Sequence, residues 1–202
     1  MHVALTDVLT CPHCGPGHGL ILLPDEVRNR RVVAGVLGCA DCRRQYPVRN
    51  GVVVFAEGDE LVPGAPDSGT REGAERLGGL LGLGAGSGLV FLAGPSAADA
   101  GALSELVEHV DVVAASGPGE GPSGAPVSRI QVAERLPFQS ATLRGVALTG
   151  AAADPLLEEG ARVLGPGGRL LLEPAPGDAR GRLEAAGLRV LGEQDDAMLA
   201  TR

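Results

Sequence analysis

Four cysteines carry the clearest chemistry in this chain. Cys11 and Cys14 enclose Pro12-His13, Cys39 and Cys42 enclose Ala40-Asp41, and 24 residues separate the two pairs. A C-x2-C knuckle turns the backbone so that two thiolates face one point while neighbouring N–H groups donate to sulfur. Two knuckles supply four soft ligands, the closed tetrahedral set of a structural zinc site. Disulfides, bare thiols and redox use are the competing readings. No basic stretch precedes an apolar one at the N-terminus, so a cytoplasmic location is expected, where thiols stay reduced. His13 and His18 flank the first knuckle and are alternative ligands. With four sulfurs at hand, both read as loop residues.

The knuckles need a frame. Gly19–Leu23 and Val32–Leu37 read as two strands of a hairpin joined by a charged turn from Asp25 to Arg31. Residues 46–55 read as a further strand with a turn signal at Asn50-Gly51. Residues 1–56 are thus expected to be a small β-rich zinc ribbon. So small a unit has little core, and metal binding is expected to supply much of its folding free energy.

These residues carry a resemblance. Leu9-Thr-Cys-Pro-His-Cys14, followed by Leu37-Gly-Cys-Ala-Asp-Cys-Arg-Arg-Gln-Tyr-Pro-Val-Arg-Asn-Gly-Val52, resembles the zinc-ribbon activator subunit of tRNA and protein methyltransferases. The likeness covers about residues 3–56. It implies a ribbon that binds and stabilises a protein partner and catalyses nothing itself.

Charge divides the chain at the same place. All 17 basic residues are Arg, and the net charge is −8. Residues 1–56 hold six Arg against four acids, while 57–202 hold eleven Arg against 21. The acidic total disfavours a general grip on nucleic acid, and aromatic residues, at 2%, are too few for base-stacking platforms. No apolar run approaches the roughly 18–20 residues of a membrane span. Residues 57–70 are polar and rich in Pro and Gly, and read as a linker.

Residues 71–202 alternate helix and strand signals. Helices are expected at 70–81, 94–109, 152–164 and 178–186, and strands at 89–93, 110–115, 128–133, 143–149, 169–173, 188–191 and 197–201. This pattern predicts an α/β sandwich with a mainly parallel sheet and an antiparallel edge. Ala133-Glu-Arg-Leu-Pro-Phe138 and the run Leu156 to Leu172, with its Arg-Val-Leu-Gly-Pro-Gly-Gly core, resemble the later motifs of Rossmann-like methyltransferases that use S-adenosylmethionine (SAM). The resemblance implies that fold across 71–202, and a functional link between ribbon and methyltransferase.

The positions that would handle SAM depart from the family pattern. After the strand 89–93 the glycine loop reads Ala93-Gly-Pro-Ser-Ala97, with side chains where close backbone approach is needed. The end of the next strand, where the family places an acid for the ribose, reads Val113-Ala-Ala-Ser116, and Asp111 comes two or three residues early. Residues 117–126 hold four Gly and three Pro, which cannot sustain the helix expected there. The family's Phe-Asp before the fourth strand is Leu143-Arg144. Gly82-Leu-Gly-Ala-Gly-Ser-Gly88 spells a nucleotide loop, but a helix precedes it and a strand follows, the reverse of what a cofactor loop requires.

No catalytic set emerges. Ser96, Ser104 and Ser116 lack evident His or Asp partners, and His109 is the only His of the second block. The expected function is a zinc-binding, non-catalytic methyltransferase-like protein (a pseudoenzyme) that serves as scaffold or partner subunit. Two alternatives stand beside it. One is an active SAM methyltransferase using Gly82–Gly88, with Glu105 or Glu108 as the ribose acid. The other is an RNA-binding ribbon using Arg28, Arg30, Arg31, Arg43 and Arg44. A protein partner through the ribbon is expected, a homo-oligomer is left open, and no membrane association is expected.

Overall fold

The structure is a computed structural model and describes residues 1–56, 58, 61–84, 86–117 and 126–202. After a 3-10 turn at Val3–Asp7 come four short strands: β1 Leu20–Arg28, β2 Arg31–Cys39, β3 Gln45–Arg49 and β4 Val52–Val54. The first hairpin is tighter than the sequence suggested. Asn29 and Arg30 both take left-handed φ, 48° and 62°, so a two-residue turn replaces the expected loop from Asp25 to Arg31. The strand absorbs Pro24-Asp25-Glu26 because β1 is a sheet edge, where a missing N–H costs no ladder bond. The register shifts between Pro24 and Glu26 accordingly. Asn50-Gly51 turns β3 into β4 with φ of 49° and 79°, as its dipeptide signal predicts.

The second block runs α1 Arg71–Leu81, β5 Gly88–Ala93, α2 Ala100–Leu106, β6 Val110–Ala115, β7 Ser128–Gln131, β8 Leu143–Thr149, α3 Leu157–Val163, β9 Leu164–Glu173, α4 Ala179–Ala185, β10 Arg189–Gln194 and β11 Ala197–Thr201. Its strands lie in the order β7-β6-β5-β8-β9-β11-β10, parallel from β7 to β9 and antiparallel from β9 through β10. This is a Rossmann-like order, reversing direction at β5. Strand residues alternate between two cores. Phe91, Val113 and Val146 face α3 and α4, while Val90, Val112 and Ala147 face α1 and α2. Both faces are therefore dry, as a parallel sheet demands. The α/β class with an antiparallel edge is what the alternating pattern predicts.

Two segments differ from their sequence expectation. The stretch 94–109 opens as a 3-10 turn, Gly94–Asp99, and becomes α-helical only from Ala100. Helix α3 starts at Leu157 instead of Ala152. The Gly/Pro-rich stretch expected to lack a helix, 117–126, falls outside the described residues except at its ends, Gly117 and Pro126.

The ribbon is continuous with the α/β sheet. β4 pairs in parallel with β7, Val53 opposite Ile130, so among the described residues eleven strands form one sheet. Leu9 bridges Phe138, whose ring meets Phe91 edge-on at 5.6 Å. Leu5, Leu9, Leu37, Tyr46 and Val53 share one core with Ile130, Phe138 and α3. The expected boundary at residue 56 thus marks a change of composition, with no break in packing.

Candidate functional site

The ribbon strands converge the four cysteines. Their sulfurs all lie within 4.8 Å of one another, with Cys11–Cys42 at 3.7 Å and Cys14–Cys39 at 3.8 Å. Zinc–thiolate bonds of about 2.3 Å require tetrahedron edges of about 3.8 Å. A disulfide needs about 2.05 Å, far shorter than these separations. All four cysteines are free thiols. The donor set and its spacing fit a tetrahedral thiolate metal site.

The surrounding groups prepare the sulfurs. The Tyr46 hydroxyl lies 3.2 Å from Cys11 Sγ in a buried setting, and its ring packs on Phe55 at 5.1 Å. Burial alone would raise the Cys11 thiol. Hydrogen bonds from Tyr46 and from the backbone at Cys14 and His13 outweigh it and bring the thiol down to about 7. Cys14 is pushed up to about 12 by burial and by the neighbouring thiols. Negative charge on Cys11 in turn opposes ionisation of Cys14. A divalent ion inverts that balance by binding all four as thiolates. His18 pairs with Asp41 at 2.9 Å across the two knuckles, and His13 is exposed, so neither joins the sulfur cluster. The first knuckle is tied to the α/β block, because Thr10 N–H donates to the Pro137 carbonyl.

A second place for chemistry lies at the carboxyl ends of the parallel strands, where open α/β sheets bind ligands near the reversal of strand order. The loop after β5 turns away from that role. Gly94, at φ 72°, sits so close to β8 that a Cβ on it would lie 1.9 Å from the Thr149 carbonyl oxygen. Thr149 Oγ1 donates to the Ala93 carbonyl and accepts from Ser96 N–H. This glycine therefore serves chain packing. Residues 115 and 116, at the end of β6, are Ala and Ser, both buried.

The segment expected to be a linker crosses these strand ends. Val62 N–H donates to the Val132 carbonyl, and Gly94 N–H donates to the Pro63 carbonyl. A Cβ on Gly64 would stand 2.5 Å from the Ala115 carbonyl oxygen. Arg129 of β7, 2% exposed, donates to the Ala65 carbonyl at 2.9 Å and to Asp67 at 2.5 Å. Gly69 and Thr70 N–H groups then bond to Ala98 and Asp99. Pro and Gly exclude regular structure here, as the sequence suggested, yet the carbonyls and N–H groups find partners on the sheet ends. Nothing in the sequence marks Arg129 or this crossing, since both depend on which strand ends meet.

Beside the crossing, a cleft of about 400 Å3 opens over Pro95, Ser96, Thr149, Gly150 and Glu173, with Arg76 of α1 at its rim. Arg76 is bonded to Glu173 at 2.7 Å. The serine hydroxyls reach backbone carbonyls, Ser96 that of Ala93, Ser104 that of Gly101 and Ser116 that of Gly117. His109 is exposed, as are Glu105 and Glu108. The glycine run 82–88 joins the C-terminus of α1 to the start of β5, and its residue 85 is outside the described set. It lies at the amino ends of the strands, away from the crevice, where Arg144 donates to the Gly82 carbonyl at 2.9 Å. Of the ribbon arginines, Arg31 donates to the Val127 carbonyl, Arg28 pairs with Glu26, and Arg30, Arg43 and Arg44 are exposed.

No protein-family model and no curated protein matches the chain. Solved structures do. A Haloferax volcanii complex of the Trm112 methyltransferase activator with a putative methyltransferase is 18% identical, covering 64% of this chain and 86% of that one at a TM-score of 0.44. A putative methyltransferase from Bacillus halodurans is 18% identical over 59% of this chain and 70% of its own, at 0.44. An O-methyltransferase family protein from Burkholderia thailandensis is 14% identical over 64% and 54%, at 0.48. These are likenesses of fold. The strand order and parallel pairing define the Rossmann-like α/β class directly. Among the described residues, no helix is long and apolar enough to cross a membrane.

Proposed function

We propose that this chain is a zinc-bearing, non-catalytic methyltransferase-like protein that works as a scaffold or partner subunit. Cys11, Cys14, Cys39 and Cys42 hold the ion in a structural role, and Tyr46 donates to the Cys11 sulfur. The observation that carries the non-catalytic part is the crossing of the carboxyl strand ends by residues 62–69. The chain's own backbone takes the N–H of Gly94, and the Thr149 carbonyl takes the space beside it. Among the described residues, the end of β6 presents Ala115 and Ser116 where an acid would receive a ribose. The ribbon's exposed edge, β1, is the candidate partner surface. An atypical cofactor site is the second reading, favoured by the cleft over Thr149 and Glu173.

Two measurements on the full chain test this. Metal analysis should find one zinc per chain, lost on treatment with a strong chelator at low pH. Calorimetric titration of the zinc-loaded protein with SAM and with its demethylated product should give no heat of binding. Micromolar binding of either would overturn the non-catalytic reading and favour the cleft.

A further inference from the structure

The two stretches that resemble methyltransferase motifs, 133–138 and 156–172, meet beside the cysteines, and the function proposed above leaves them unused. Residues 136–139 form a strip between α3 and the first knuckle, and their backbone groups alternate between the two as those of a strand do. The even positions face α3: Leu136 N–H donates to Glu159 Oε2 at 2.9 Å, and the Leu136 and Phe138 carbonyls each accept from Arg162 at 2.8 Å. The odd positions face the knuckle: the Pro137 carbonyl accepts from Thr10 N–H at 2.9 Å, and Gln139 N–H donates to the Val8 carbonyl at 3.1 Å. We infer that Glu159 and Arg162 are a positioning pair for the four-cysteine site, acting through this strip, and that a metal on the cysteines in turn holds the strip and α3 in place. This rests on the reading that the cysteines hold zinc.

Arg162 is built to fix the strip. Its Nε and one terminal nitrogen donate to the two Glu159 oxygens, both at 2.7 Å, while its two terminal nitrogens reach the two strip carbonyls. A planar guanidinium held bidentate by a carboxylate has few other orientations open to it. The two side chains are 23% and 22% exposed, so water competes weakly for these bonds. Phe138 fastens the strip to the core, fully buried and edge-on to Phe91 of β5. On the other side Leu9 bridges Phe138, Thr10 bridges Gly19, and Cys11 N–H donates to the His18 carbonyl. The knuckle strand is thereby held along both edges, by the strip and by the chain entering β1. Cys11 follows Thr10 directly, so a shift of the strip moves a sulfur whose bond to a metal tolerates only about 0.2 Å. Cys11, Glu159 and Arg162 line one cavity of about 270 Å3, and the strip bridges the pair to the knuckle. The coupling is reciprocal: the factor by which the strip raises metal affinity is the factor by which metal stabilises the strip.

The test is zinc affinity, read by competition with a chromophoric chelator on full-length protein whose fold is checked by circular dichroism. Arg162→Ala should raise the zinc dissociation constant about fivefold or more, the lower end of typical coupling between sites. Arg162→Lys keeps the charge but cannot span the carboxylate and both carbonyls, and should lose affinity in the same direction. Arg182→Ala is the control. That guanidinium also grips α3, through Glu158, but its other partners are Asp154 and Asp178, so zinc affinity should stay within about twofold. In the wild type, hydrogen exchange at the Thr10 and Gln139 amides should speed up when zinc is removed, with a smaller change at Val112, which packs against α1 and α2. Unchanged zinc affinity in folded Arg162→Ala, or an equal loss in Arg182→Ala, overturns the inference. So do Thr10 and Gln139 amides that are indifferent to zinc, or an equal response at Val112. If neither Arg162 variant folds, the wild-type exchange decides. Absence of zinc from the wild-type protein would sink the functional reading itself, whereas zinc bound with equal affinity in every variant sinks the coupling alone.

Discussion

The Tyr46 hydroxyl offers a measurement of how far the ribbon is built around its sulfurs. Tyr46→Phe removes one oxygen and leaves the ring against Phe55 at 5.1 Å, so packing is conserved. The lost contact is a 3.2 Å hydrogen bond to Cys11 Sγ, in a setting where Tyr46 is 6% exposed and water cannot substitute. Groups that hydrogen-bond a metal ligand affect metal affinity by about 10–100-fold, which corresponds to roughly 1.4–2.8 kcal/mol. The expected result is a zinc dissociation constant raised by that factor, read by competition against a chromophoric chelator. Urea unfolding separates two explanations. If the hydroxyl serves the metal, zinc-loaded protein loses stability and metal-free protein loses little. Affinity unchanged within twofold, or equal losses with and without zinc, would refute the assignment and make the hydroxyl a feature of the core alone.

Two further outcomes follow from the geometry. Gly94→Ala must move backbone, since its Cβ would meet the Thr149 carbonyl oxygen at 1.9 Å and φ is 72°; overpacking and left-handed strain together cost about 2–4 kcal/mol, or roughly 5–15 °C of melting temperature by calorimetry. Arg182 bonds Glu158, Asp154 and Asp178, raising its own affinity for its proton and holding Glu158 below the usual carboxylate range, chiefly through their hydrogen bond. A lowered carboxyl pKa stabilises the fold at neutral pH and loses that contribution as the acid range is entered. Arg182→Ala should therefore cost about 1 kcal/mol at pH 7, a figure kept small by solvent screening of the exposed acids, and the difference from wild type should shrink in urea melts below about pH 4. A difference independent of pH would mean the arginine acts through its apolar stem.

The strands of the ribbon and of the α/β block were legible because their signals are local. Asn50-Gly51 takes left-handed φ at both residues without help from elsewhere, and Thr70 N-caps α1 by accepting from Gly73 N–H. The tight turn at Asn29-Arg30 was not legible, since a left-handed Arg is held there by the pairing of Arg28 with Arg31 across the hairpin. The reversed flanks of the glycine run 82–88 were enough to place it away from the cofactor crevice, and it lies at the amino ends of the strands. The role of Gly94 escaped, because its glycine requirement is set by Thr149, 55 residues away along the chain.

What the sequence determined by itself is a matter of spacing and period: two C-x2-C knuckles that can share one ion, a hairpin between them, and alternating strands and helices that demand a parallel sheet. These follow from a few neighbouring residues whose preferences do not depend on the rest of the chain. Tertiary structure alone decided that β4 pairs with β7, making ribbon and α/β block one sheet. It also decided that residues 62–69 close the strand ends on Arg129. Strand edges and strand ends expose unpaired backbone groups whose partners are chosen by proximity in the folded chain. A Pro/Gly-rich stretch says only that it will be irregular; the carbonyls and N–H groups waiting at the ends of β5, β6 and β7 say where it comes to rest.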